Sequence, residues 1–181
     1  MDKNNKEDRE NCDRIGIDVL SECTLCPRMC RVDRTKNIGA CGVGYLPKLS
    51  NIVLHKGEEP PLSGEMGAGA VFFSGCQMKC IYCQNMGFSQ KGIGFEISEE
   101  ELSCAFLKTQ RAGATTLDLV SPTPHLPWII GALDNARKDG FKIPVVYNTS
   151  SYERVEILQR IEGYVDIYLA DIRYTDNEMG M

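Results

Sequence analysis

The chain has 181 residues, 43% of them hydrophobic, which is enough to bury one core and predicts one main domain with an appendage, at about 100 to 200 residues per domain. The 20 basic and 25 acidic side chains leave a net charge of −5 with the cations scattered, which argues against nucleic acid as a partner. No run approaches the roughly 18 apolar residues of a membrane helix, and the charged start MDKNNKEDRENCDR has no apolar export core, so no membrane contact and a cytoplasmic location are expected. In that compartment nine cysteines point to metal rather than to disulfides.

Residues 1–22 read as a polar amino-terminal arm, its first 14 too poor in apolar side chains to offset the entropy of ordering, with Cys12 carried there without a role. Residues 23–69 read as a cysteine-rich module and linker. The module, CTLCPRMCRVDRTKNIGACGVG, places Cys23, Cys26, Cys30 and Cys41 at CxxC, CxxxC and a further ten-residue spacing. Four thiols are enough to close a zinc ion or a second iron–sulfur cluster, and soft thiolates suit both. From residue 45 to 69, Pro60, Pro61, Gly64, Gly67 and Gly69 predict a connection with little helix potential. His55, beside GEEPP, and His125 are read as structural histidines.

From Ala70 to residue 181, strand-like and helix-like segments alternate. AVFFSG, TTLDLVS, IPVVYNTS and VDIYLADIRY predict four strands. Between them, Ser98 and Glu101 form a capping box ahead of Leu102, Ala105 and Phe106, with Gly113 as the stop; Pro127 to Lys138 carries Ile129, Leu133 and Ala136 on one face and ends at Gly140. Ser150 and Glu153 are read as opening a third, short helix through Val155, Leu158 and Ile161. This alternation predicts an α/β fold of βα units with parallel strands and right-handed crossovers, either an open sheet or a barrel, with chemistry beyond the carboxyl ends of the strands. Trp128 is read as packing.

The stretch GCQMKCIYCQN follows the first of these strands and packs Cys76, Cys80 and Cys83 into eight residues, with Gly75 serving the turn that aims Cys76. Structural zinc and four-iron clusters are normally closed by four protein ligands, so a triplet predicts a cluster with one iron left open. The competing reading is a zinc completed by a remote cysteine. Cys104 is the nearest spare, but its helical spacing beside Leu102 and Ala105 predicts a small core side chain.

CxxxCxxC with aromatic Tyr82 before its third cysteine, after the first strand of a βα series, resembles the radical S-adenosylmethionine superfamily. CTLCPRMCRVDR, GACG, GEEPPLSG, VFFSGCQMKCIYCQN and SPTPHLPWI narrow the resemblance to uncharacterised iron–sulfur proteins related to the pyruvate formate-lyase activating enzyme, from about residue 20 to the last residue. The resemblance implies a partial βα barrel over residues 70–181. It implies a [4Fe-4S] cluster on Cys76, Cys80 and Cys83, whose open iron is chelated by the amino and carboxylate groups of S-adenosylmethionine. Reductive cleavage then yields a 5′-deoxyadenosyl radical that abstracts hydrogen from a substrate.

By the same resemblance, Tyr82, Pro122 and Thr123, Asn148 and Thr149, and Asp171 are cofactor-binding positions. Pro122 and Thr123 would meet the methionine amine, although the family's Gly-Gly-Glu-Pro is not spelled here. Asp171-Ile172-Arg173 matches an Asp-x-Lys motif with arginine for lysine, which keeps the charge and changes the donor geometry. The implied partners are an electron donor such as a flavodoxin or ferredoxin, and a substrate that the sequence does not name, a glycyl-radical protein among the candidates. The superfamily pattern has six βα units, whereas about four strands are predicted here, so the chain is expected to be truncated at its C-terminus. Two functional readings follow: a radical enzyme, or a non-catalytic iron–sulfur or zinc-binding fragment that has lost its cofactor pocket.

Overall fold

The computed structural model describes residues 14–172; Cys12, Arg173 and the chain from Tyr174 onward lie outside the described residues. The fold is mixed α/β. Its six-stranded sheet comprises β1 (Lys48–His55), β2 (Ala68–Phe73), β3 (Phe95–Glu96), β4 (Leu117–Val120), β5 (Val145–Thr149) and β6 (Ile167–Ala170), in the order β3-β1-β2-β4-β5-β6. The pairings β2–β4, β4–β5 and β5–β6 are parallel, and β1 runs antiparallel to both β2 and β3. The parallel strands fall where the apolar runs predict them.

The helices α1 (Glu99–Arg111), α2 (Leu126–Lys138) and α3 (Val155–Ile161) cross over between successive parallel strands. The capping box forms as read: the Glu101 amide donates to Ser98 Oγ and the Ser98 amide to the Glu101 carboxylate. Helices α1 and α2 pack Leu102, Phe106, Ile129 and Leu133 against Val71, Phe73, Leu117, Leu119 and Val145. Tyr147, two residues beyond Val145 on the same face of β5, joins a second cluster with Trp128 and Ile130 of α2 and Ile157 and Ile161 of α3. All three crossovers therefore cover one face of the sheet. The opposite face, carrying Phe72, Val120 and Asn148, has no crossover helix among the described residues.

Three sequence expectations are corrected. Residues 45–69 are more than a connection: they hold the eight-residue β1 and a helical turn, Pro60–Ser63, begun by the fixed φ of its prolines. The polar arm gives way before residue 22, because Ile15 and Leu20 are fully buried in the second cluster and Ile17–Glu22 form a 3₁₀ helix. Cys104 is exposed on α1 instead of filling the core, because the helix turns Leu102 and Phe106 inward and leaves it on the outer side. No helix among the described residues is long and apolar enough to cross a membrane.

Chemical denaturation should rank these features. Phe106→Ala, which empties a fully buried ring site, is expected to cost ~3–5 kcal/mol. Ser98→Ala, which removes only the cap, should cost about 1 kcal/mol. Equal losses would contradict the packing described.

Candidate functional site at the carboxyl ends of the parallel strands

Strand register builds the floor of a cleft. Phe72, Val120, Asn148 and Leu169 are consecutive Cα partners across β2, β4, β5 and β6, and all four line one cavity of about 650 Å³ on the face that no crossover helix covers. Cys76, Cys80, Cys83 and Tyr82 form one wall, from the loop after β2. Thr149 and Asp171 contribute from the ends of β5 and β6, and His55, Glu58 and Glu59 from the segment after β1. Lys79, Ser121 and Ser151 adopt left-handed backbone, with φ of 54°, 56° and 62°. They sit on the loops after β2, β4 and β5, so unfavourable backbone is concentrated at this edge.

The cysteine loop is seated by contacts on both sides. Gly75 turns with φ of 88°, and a Cβ there would lie 2.4 Å from Val43 Cγ2 and 2.9 Å from the Cys41 carbonyl, so only glycine lets the module approach. The Cys76 amide donates to the Cys41 carbonyl at 3.1 Å, and Arg28 Nε donates to the Gln77 carbonyl. Gln90 Nε2 donates to the Cys80 carbonyl, and Cys83 Sγ lies 3.3 Å from Ser89 Oγ.

Beneath the loop is a buried polar network that sequence reading missed. Gln77 Nε2 donates to Thr123 Oγ1 and to Glu153 Oε1; the hydroxyls of Thr123 and Thr149 each donate to Glu153 Oε1 at 2.6 Å; Thr123 Oγ1 also meets Tyr147 Oη. Glu153 thus does not cap α3, whose N-cap is Arg154 without a side-chain bond. Burial pushes its carboxyl above the usual range, opposed by the Thr123 and Thr149 hydroxyls. Pro122 and Thr123 are buried and do not line the cleft; Val120 and Ser121 occupy that wall instead. Ser150-x-x-Glu153 reads locally as a helix start; Thr149 reaches Glu153 from four residues away, whereas Thr123 and Gln77 reach it only through the fold, from 30 and 76 residues away.

His125 is structural. It is fully buried, stacks 4.9 Å from Phe73 and donates from Nε2 to the Ser74 carbonyl, and burial lowers its pKa to about 3, so the ring stays neutral. His55 faces Glu58 at 3.7 Å. Asp118 lies two residues before Val120 on the same face of β4, fully buried, with Asn148 Nδ2 at 3.4 Å from Oδ2 and, among the described residues, no partner for Oδ1. Burial, then the negative charge of Glu58, raises its pKa to about 7 against the weaker pull of Asn148.

No three cysteine, histidine or carboxylate side chains among the described residues converge as ligands of a single metal ion. The donor set nevertheless fits an iron–sulfur cluster, which Cys76, Cys80 and Cys83 would hold through one thiolate each. Cys76, Cys80 and Cys83 are free, half-buried and open to the same cavity.

No family model matches the chain, and no solved structure matches it. An uncharacterized protein of Methanocaldococcus jannaschii is 32% identical over 175 residues, covering 92% of this chain and 49% of the relative, so the chain spans about half the length of the curated relative it matches.

Two measurements check the site. Glu153→Ala removes the oxygen on which Gln77, Thr123 and Thr149 converge and is expected to cost on the order of 3 kcal/mol, with Glu153→Gln much milder because the amide keeps the accepting oxygen. Asp118 has a folded pKa above its unfolded value of 3.8, so stability is fullest below pH 3.8 and falls as pH rises toward about 7. Asp118→Asn should flatten that part of the stability–pH curve and gain at most ~4 kcal/mol at pH 8. An unchanged curve would remove Asp118 from the buried site.

Proposed function

We propose that the chain is a radical S-adenosylmethionine iron–sulfur protein of the type that resembles pyruvate formate-lyase activating enzymes, built on a partial βα barrel. The observation that carries this reading is the placement of Cys76, Cys80 and Cys83 on the loop after the first parallel strand. They open onto a cleft of about 650 Å³ whose floor is a register row near the strands' carboxyl ends. Sequential strand order β2-β4-β5-β6 with every crossover on one face supports barrel-type winding, since doubly wound sheets carry helices on both faces.

In this reading the three thiolates hold a [4Fe-4S] cluster, which when bound supplies the single electron that cleaves S-adenosylmethionine to methionine and a 5′-deoxyadenosyl radical. The chain's own residues bind, orient and exclude water. Glu58 and Glu59 give the cleft an anionic wall that suits a ligand bearing sulfonium and ammonium charges, and Asn148 and Thr149 present neutral polar groups to it. Phe72, Val120 and Leu169 form a dry floor that keeps a reactive radical from solvent. Glu153, through Gln77, holds the cysteine loop at the strand ends. A flavodoxin or ferredoxin fits as electron donor, and a glycyl-radical protein is one candidate substrate.

Anaerobic reconstitution followed by electron paramagnetic resonance tests the reading. The reduced protein should give a cluster signal that changes on adding S-adenosylmethionine, and dithionite should drive formation of 5′-deoxyadenosine. Cys80→Ser should abolish both, and Asn148→Ala should weaken cofactor binding roughly tenfold. A cluster signal indifferent to the cofactor would favour a non-catalytic iron–sulfur protein instead.

A further inference from the structure

We propose that Cys23, Cys26, Cys30 and Cys41 form a second metal centre, closed by four thiolates and charge-balanced by the buried guanidinium of Arg34. Arg34 is 1% exposed. It donates from Nε to the Gly44 carbonyl at 2.9 Å and from Nη1 to the Pro124 carbonyl at 2.7 Å, while Nη2 has no partner among the described residues. No carboxylate among the described residues reaches ion-pair distance of it, although Arg14, Arg31, Lys36 and Arg154 each have one. A buried cation without a counter-charge is costly. The group beside it is sulfur: Cys23 Sγ lies 3.8 Å from Nη1, and Cys23 and Cys41 are themselves buried.

Neutral thiols would leave the guanidinium uncompensated, and four bare thiolates would repel one another. Thiolates around a metal ion or cluster remain net anionic and satisfy both conditions. The backbone agrees. Amides of Arg28, Val32, Ala40 and Val43 are directed at the sulfurs of Cys26, Cys30 and Cys41, and Met29 and Arg31 adopt left-handed φ of 39° and 53° in the turns between them. Among the described residues the sulfurs do not converge on one ligand point, so metal binding would require their side chains to rotate inward. From residue 23 to residue 47 there is no helix or strand, so cross-linking by metal is the available source of rigidity. That rigidity reaches the triplet through the Cys41 carbonyl and Arg28.

The inference is independent of radical chemistry and is tested with the triplet removed. The full chain carrying Cys76→Ser, Cys80→Ser and Cys83→Ser is prepared in two arms, with zinc in air and with iron and sulfide anaerobically. Metal should survive gel filtration with a mild chelator in one arm, the arm identifying zinc or an iron–sulfur cluster. In that background Arg34→Met should release it about tenfold faster, with Arg34→Lys intermediate. A metal-free protein in both arms overturns the proposal, and equal retention in Arg34→Met overturns the charge balance. Should the triple variant not fold, cobalt is loaded into the parent chain: tetrathiolate bands must survive Cys80→Ser and vanish with Cys26→Ser, and the reverse result overturns the assignment.

Discussion

One carboxylate oxygen ties the carboxyl ends of the parallel strands together. Glu153 Oε1 accepts from Thr149 at the end of β5, from Thr123 on the loop after β4 and from Gln77 on the cysteine loop after β2. Burying such a group is unfavourable by itself, and it is tolerated because three buried side chains donate to the same oxygen. Remove it and three loops that approach the cleft from three different strands lose their shared anchor. This network, together with the contacts of the cysteine loop to Cys41, Ser89 and Gln90, fixes the position of Cys76, Cys80 and Cys83 relative to Asn148 and Thr149.

The sheet supplies what the network fastens. Parallel pairing puts Phe72, Val120, Asn148 and Leu169 in one row, and alternation of side chains along each strand sends their neighbours Val71, Leu119 and Tyr147 to the helical side. Because α1, α2 and α3 all fall on that side, the other face is left for the loops. β1 extends the sheet in the antiparallel sense and carries the GEEPP segment to the same cleft, so the acidic wall and the thiol wall face one cavity.

Buried charge divides the molecule into two kinds of site. His125 and Asp118 answer burial by shifting toward their neutral forms, one through depression and the other through elevation of its pKa. Arg34 cannot do so, since a guanidinium does not lose its proton in this range. The environment must therefore supply the compensation, and beside its Nη1 lies the Cys23 thiol at 3.8 Å.

The sequence by itself determined the parallel strands, the capped helix at Ser98 and the cysteine loop's place after the first of those strands. Each is a local matter: apolar runs of strand length, a reciprocal cap four residues long, and a glycine turn are visible within a short window. Tertiary structure alone decided that Ile15 and Leu20 belong to the core, that β1 joins the sheet, and that Cys104 faces outward. It also moved Thr123 from a cofactor wall to a buried support and took Glu153 from a helix cap to the centre of the network. Gln77 and Glu153 stand 76 residues apart in the chain, and Arg34 and Pro124 stand 90 apart. No local pattern encodes such pairings, because what selects them is the need of buried donors and charges to find partners once the backbone has closed around them.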